Sequence, residues 1–365
     1  MAEAETDDRV PARPVKGRGS VTNRSGRYEA TTREPVDDGW STVEEEPSPL
    51  RTTVGADTAR RAITTNTSPD VGFDQSINPY RGCEHGCVYC FARPTHAWLG
   101  LSAGLDFETK LFAKHDAAPL LESELRSPRY RCKVIALGVN TDAYQPIERD
   151  LKITRGILEV LSRFEHPVAL ITKSTLVTRD IDILADMAAR RLVHVTLSVT
   201  SLDRHLTRRL EPRAATPMRR IEAVRALAAA GIPTSVNVAP MIPGLNDHEL
   251  EAVLAAAAEA GASKAGYILL RLPLEIRDLF REWLETHAPD RASRVLSLIR
   301  QTRGGALYKD RFGERMRGEG PIADLIERRF RLACTRLGLD KRDYVLDTSR
   351  FRRPPARGDQ IALPL

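Results

Sequence analysis

The stretch Arg81-Gly-Cys83-Glu-His-Gly-Cys87-Val-Tyr-Cys90-Phe-Ala-Arg93 constrains this chain more than any other. It holds three of the five cysteines, spaced C-x3-C-x2-C. Thiolates this close, with only two other cysteines available, are poorly placed for disulfides and well placed to bind a soft metal centre. Softness admits either zinc or an iron–sulfur cluster, so the ligand count has to separate them. A structural zinc site is closed by four protein ligands, whereas a [4Fe–4S] cube given three cysteines keeps one iron free. A free iron is a place for a substrate or cofactor to bind. His85, inside the loop, offers the competing arrangement, a Cys3His zinc site. The chain would then be a non-catalytic, zinc-stabilised nucleic-acid-binding protein.

The 365-residue chain is long enough for one large domain with extensions, or for two ordinary ones. No run of about 18 or more apolar residues predicts a membrane span. The opening Met-Ala-Glu-Ala-Glu-Thr-Asp-Asp has neither the basic nor the apolar region of a secretory signal. Clustered cysteines fit a reducing compartment, so the expectation is a cytoplasmic protein with no membrane partner. The net charge is +6, and Arg300 to Leu365 carries 16 Lys/Arg against 9 Asp/Glu, a local net of +7 that leaves −1 for the rest. A basic end of this kind is either a solvated face or a contact surface for a polyanion such as DNA or RNA.

Residues 1–48 show no apolar period and are expected to be a disordered or peripheral tail. From 49 to 274 short apolar runs alternate with helical patterns. Strands are expected at 133–138, 168–172, 193–199, 234–239 and 265–270, with candidate strands at 76–78 and 108–114. Helices are expected over 116–125, from Thr154, after a Thr178 cap, from Thr216-Pro217 to Gly231, and from an Asn246 cap with Glu249 completing a capping box. Such runs between helices indicate a parallel sheet covered by helices. About six units predict an α/β fold, a partial (β/α)6 TIM-like barrel; a doubly wound sheet would give the same pattern. From 275 to 365 the alternation gives way to helical patterns at 276–286, 292–302 and 322–337, a basic helical C-terminal extension.

The cysteine spacing, with Tyr89 before the last cysteine, resembles the signature of the radical S-adenosylmethionine (SAM) superfamily. More narrowly, Asn78–His96, Leu137–Pro146, Glu211–Arg213, Pro240–Asp247 and Leu270–Pro273 resemble, in order, a bacterial branch related to spore photoproduct lyase. That resemblance runs from about Lys16 to Phe351. It implies a [4Fe–4S] cluster on Cys83, Cys87 and Cys90, whose fourth iron binds the amino and carboxylate groups of SAM. An electron from a low-potential donor such as flavodoxin or ferredoxin then cleaves SAM to methionine and a 5′-deoxyadenosyl radical, which takes hydrogen from a substrate.

The resemblance also implies roles for single residues. It puts Tyr89 against the adenine and Gly138, Asn140 and Thr141 at the methionine amino group. Lys173 and Ser198 fall at the carboxylate and ribose, Pro243–Asn246 behind the adenine, and Arg213 opposite an acid of the site. Each has a plainer reading: a tight turn at Gly138, a surface lysine at Lys173, a helix cap at Asn246, a structural ion pair at Arg213. Spore photoproduct lyase, as a family, returns a hydrogen atom from a cysteine just past the second strand. Here that stretch, Gly138 to Tyr144, has no cysteine, which leaves Tyr144 as the residue there able to relay hydrogen. The substrate is therefore unknown. Nucleic acid is the candidate, because Tyr308, Arg311, Phe312, Arg315 and Arg317 interleave rings with cations. Cys132 and Cys334 read as ordinary buried thiols.

Overall fold

In the computed structural model, which describes residues 14–29, 50–340 and 344–355, the apolar runs pair as strands. In chain order these are β1 (Thr53–Ala56), β2 (Ile63–Thr65), β3 (Gln75–Ile77), β4 (Tyr80–Arg81), β5 (Lys110–Ala113), β6 (Ile135–Leu137), β7 (Val168–Thr172), β8 (Val193–Ser198), β9 (Thr234–Met241) and β10 (Lys264–Leu269). The helices are α1 (Leu105–Thr109), α2 (Ala117–Arg126), α3 (Glu148–Leu151), α4 (Ile153–Arg163), α5 (Ile181–Ala189), α6 (Arg204–Leu210), α7 (Pro217–Ala229), α8 (Leu250–Glu259), α9 (Ile276–His287), α10 (Pro289–Gln301) and α11 (Pro321–Leu337). Strands β3, β6, β7, β8, β9 and β10 pair side by side in parallel, and β2 joins antiparallel on the outer edge of β3. Six parallel strands in chain order, with helices between them, make an α/β fold. Among the described residues no helix is long and apolar enough to cross a membrane.

The strand sequences explain which face the helices cover. Successive side chains of a strand point to opposite faces. Leu170, Val195, Leu197, Val236 and Val238 are fully buried together with Ile157, Leu158 and Leu161 of α4 and Leu227 of α7. Each such burial contributes about 1.5–3 kcal/mol. The alternate residues Thr196, Ser198, Ser235 and Asn237 are polar and line the opposite face. Parallel strands all end on the same side, so that polar face opens toward the segment following β3.

A second, three-stranded sheet holds that segment. Strand β4 pairs antiparallel with β5, which also pairs in parallel with β1. The cysteine loop thus leaves from β4 and returns through α1 to β5, and the Cys83 amide donates to the Phe107 carbonyl at 2.9 Å. The stretch 108–114, expected to be all strand, is split between the end of α1 and β5.

Three other expectations are corrected. Thr178 does not cap α5; a 3-10 turn over Thr175–Asp180 precedes that helix, and the Ser174 hydroxyl caps the turn by accepting the Leu176 amide at 3.2 Å. Asn246 caps nothing. Its carboxamide accepts the Ile242 amide at 2.7 Å and donates to the carbonyls of Thr200 and Pro240, joining the ends of β8 and β9. Glu249 bonds the Ser201 hydroxyl and the Leu202 amide instead of closing a capping box. Residues 14–29, assigned to a peripheral tail, form a strap against the body, with Arg18, Ser20 and Val21 buried.

The helices after residue 275 also reach the cysteine loop. Phe280, Trp283 and Leu284 of α9 and Val295 and Ile299 of α10 form one buried cluster with Val88, Tyr89, Ile242 and Leu245. Trp283 stacks on Phe280 at 5.9 Å, and its indole N–H donates to the Arg209 carbonyl at 3.0 Å. Trp283→Ala should lower the unfolding free energy by about 3–5 kcal/mol, as large core truncations do. A denaturant titration that finds a loss below about 1 kcal/mol would show the helices to be loosely attached.

Candidate functional site

The cysteine loop is held from within by one arginine. Arg93 is fully buried and uses all five of its N–H donors. Nε donates to the Cys87 carbonyl (2.8 Å), Nη1 to the carbonyls of Ala103 (3.0 Å) and Gly104 (2.9 Å), and Nη2 to the Gly86 carbonyl (3.1 Å) and the Glu108 carboxylate (2.5 Å). Glu108 in turn accepts the amides of Gly19 (2.9 Å) and Ser20 (2.8 Å). The strap therefore lies directly on the loop. A Cβ at Gly19 would fall 1.7 Å from the Gly86 carbonyl oxygen, so only glycine allows that approach.

Cys83, Cys87 and Cys90 are free thiols, the first two buried and the third half-buried. Burial pushes the Cys83 thiol well above its ordinary range, and Asp142, Cys87 and Cys90 add to the rise. Burial, with Glu211, pushes Cys87 up to about 12 against the pull of Lys173. Such thiols give up their protons only when a cation is placed among them.

Around Tyr89 lies a buried ionic group. The Tyr89 hydroxyl donates to the Glu211 carboxylate, which also pairs with Arg220; Arg220 donates further to the carbonyls of Ala215 (2.7 Å) and Ser198 (3.0 Å). Burial alone would raise the Glu211 carboxyl. Arg220 and Lys173, with hydrogen bonds from Arg220 and Thr200, outweigh it and hold it at about 2. Lys173 stands with its ammonium 5.8 Å from the centre of the Tyr89 ring. Burial opposes its charge, but Cys87 and Glu211 raise it above the ordinary lysine range. Asp142 lies at the end of β6. It accepts the Tyr144 amide (2.8 Å), the Thr172 hydroxyl (2.7 Å) and the Lys173 amide (2.7 Å), and faces His85 Nδ1 at 3.3 Å. Although burial acts to raise it, His85 and these donors bring its carboxyl down to about 2.

A sequence profile of the radical SAM superfamily matches residues 77–257. An uncharacterised protein of Mycobacterium tuberculosis is 38% identical over 231 residues, 63% of this chain and 68% of its own length. The chain belongs to the radical SAM superfamily. A more distant relative, an uncharacterised protein of Methanocaldococcus jannaschii, is 30% identical over 173 residues, 47% of this chain and 62% of its own. Among solved structures, a spore photoproduct lyase mutant with bound AdoMet and dinucleoside spore photoproduct superimposes with a TM-score of 0.55 at 15% identity, over 78% of each chain. Another mutant of that lyase gives 0.54 at 16% identity over the same shares. At these identities the likeness is one of fold.

The superfamily implies a [4Fe–4S] cluster and SAM, and the donor set suits them. Cys87 and Cys90 both raise the ionisation cost of the Cys83 thiol, and among the described residues no three His, Cys, Asp or Glu side chains converge on a single ion. His85, the candidate fourth ligand of a zinc site, faces Asp142 through Nδ1 at 3.3 Å. Lys173 and Ser198 make no side-chain hydrogen bond to another described residue, which leaves an ammonium and a hydroxyl available at the ends of β7 and β8.

The other expected site residues are tied to their neighbours. Gly138 sits at φ +81°, where a Cβ would meet the Ile171 carbonyl at 2.8 Å. The Asn140 amide (2.9 Å) is held by the Asn78 carboxamide, and the Thr141 hydroxyl donates to the Tyr80 carbonyl at 2.7 Å. Arg213 pairs with Glu84 at 3.1 Å. The Tyr144 hydroxyl donates to Asp180 at 3.0 Å. Cys132 lies before β6, at the opposite end of the sheet, and Cys334 lies on α11; burial raises both thiols to about 11. Sequence reasoning missed Arg93, Glu108, Asp142, Glu211 and Arg220 as site residues. Arg93, Asp142 and Glu211 stood inside quoted motifs, whereas Glu108 and Arg220 carried no signal.

Two outcomes follow for variants. Cys87→Ala should abolish bound iron after anaerobic reconstitution, while Cys132→Ala and Cys334→Ala keep it; iron loss in all three would break the assignment. Glu211→Gln strands Arg220 and should cost about 3–5 kcal/mol near neutral pH. The folded carboxyl, at about 2, is below its ordinary 4.5. Its contribution is therefore complete above pH 4.5 and is lost as the pH falls toward 2. Urea unfolding of both proteins should show the gap narrowing across that window, and a pH-independent gap would refute the pairing.

Proposed function

We propose that Cys83, Cys87 and Cys90 hold a [4Fe–4S] cluster and that SAM binds beside it, across the end of the polar sheet face. The observation that carries this is the meeting of three free thiols, two buried and one half-buried, with a lysine whose ammonium makes no hydrogen bond to a described residue. When bound, the cluster supplies one-electron cleavage of SAM to methionine and a 5′-deoxyadenosyl radical. The protein's own residues bind and orient. Lys173 provides the positive charge for the SAM carboxylate and Ser198 a hydroxyl for the ribose. Gly138, at φ +81° and packed against the Ile171 carbonyl, makes the turn that would present the amides of Asn140 and Thr141 toward the methionine amino group. Tyr89, fixed by Glu211, walls the adenine side, and Arg213 anchors the loop's outer edge through Glu84. The six strands, curved as a partial barrel, would keep water from the polar face.

For the substrate we infer a nucleic-acid component, supported by the fold shared with a lyase whose structure holds a dinucleoside. Hydrogen return by a cysteine is not part of this reading, since Cys132 and Cys334 lie away from the loop and Tyr144 is committed to Asp180. The basic extension supports it little. Arg311 pairs with Glu314, Arg315 with Asp70 and Arg317 with Glu327, so much of its charge is compensated. The electron would come from a low-potential donor such as flavodoxin or ferredoxin.

Anaerobic reconstitution tests the central claim. The expected outcome is a brown protein with about four irons that releases 5′-deoxyadenosine from SAM under reduction. Colourless protein holding one tight zinc, with no cleavage, would overturn it.

A further inference from the structure

A cavity of about 430 Å³ lies behind the cysteine loop, between the 3-10 turn after β7 and the segment that follows α6. His85, Arg149, Ser174, Thr178, Arg179 and Arg213 line it, and no aspartate or glutamate does. It is separate from the polar sheet face. Lys173 turns toward Tyr89, whereas Ser174, the next residue along an extended backbone, turns the other way into this cavity.

The charges around it are unevenly matched. Arg179 is consumed by Glu148 and Asp180, at 2.8 Å each. Arg213 has Glu84 at 3.1 Å, and its guanidinium is partly exposed. Arg149 is exposed and has no acceptor among the described residues. His85 is almost wholly buried, with Nδ1 facing Asp142, and its other ring nitrogen has no partner among the described residues. Two arginines with spare donors, the Ser174 hydroxyl and no lining carboxylate make a receptor for a compact oxyanion, while the Thr178 hydroxyl is spent on the Thr175 carbonyl at 2.9 Å. Planar guanidinium forks and hydroxyls together suit phosphate oxygens. The volume exceeds that of a bare phosphate and falls in the range of small-ligand pockets, so the phosphate would carry a larger group.

We propose that this cavity is a phosphate-ester binding site, in which Arg149 and Arg213 clamp the phosphate beside the Ser174 hydroxyl. The site rests on these side chains alone and does not depend on the proposed cluster chemistry. A phosphate of a nucleic-acid strand and that of a free nucleotide present the same chemistry to it, and the polymer is distinguished by length.

Calorimetric titration of the full chain with inorganic phosphate, adenosine monophosphate, adenosine and a short single-stranded oligonucleotide tests this. The phosphate-bearing probes should bind saturably and adenosine should not. Arg149→Ala should weaken them by about 10-fold or more, Arg149→Lys by less, and Arg311→Ala in the extension not at all. Arg149 is an exposed side chain outside the cluster and SAM residues, so the variant should fold and cleave SAM as the parent does. Oligonucleotide affinity well above that of the mononucleotide would identify a strand as the source; equal affinities would identify a free nucleotide. Absence of saturable binding by every phosphate probe up to about 1 mM, or equal weakening by Arg149→Ala and Arg311→Ala, would overturn the site.

Discussion

The site depends first on the contact between Arg93 and Glu108, both side chains wholly removed from solvent. A buried ion pair is seldom a source of net stability, because desolvation offsets most of the attraction. Its use here is geometric. The cysteine loop is too irregular to satisfy its own carbonyls by secondary structure, and an unpaired buried carbonyl is costly. One planar guanidinium answers four of those carbonyls from a single point, and the carboxylate opposite orders the strap. Replacing the pair by apolar residues would leave the loop with nothing to hold its shape.

A second constraint is electrical. Three thiols, two of them buried, together with Asp142 and Glu211 would gather far too much negative charge once the thiols ionise. Lys173 and Arg220 are the cations placed against them, and Arg220 is already committed to Glu211. Lys173 adds its charge against Glu211 and the thiols without a hydrogen bond to another described residue. The same pairing leaves Tyr89 fixed by its hydroxyl, so its ring keeps a constant orientation.

The core elements were legible because their signal is local. Val168–Thr172 is a continuous apolar run with turn residues on both sides, and it folds as the strand those features predict. The cysteine spacing is equally local. Thr178 and Asn246 misled because a capping residue type says nothing about whether its side chain is needed elsewhere. Ser174 took the first role, and the meeting of β8 with β9 took Asn246. Glu108 and Arg220 were invisible for a related reason. Their partners lie on other elements, and no period in the sequence links them. Residues 14–29 read as tail because a strap that covers another segment needs glycines and polar contacts, which are also the composition of a peripheral segment.

The close approach of Gly19 to Gly86 has a consequence for the order of assembly. The strap lies earlier in the chain than every ligand it covers, so it is synthesised before the surface that receives it exists. It can dock only once the cysteine loop has closed through β4 and β5, and joining segments so far apart is a late event by loop-closure entropy. Until the strap docks, the cysteine loop lacks that cover. Afterwards the backbone of the strap is seated on it.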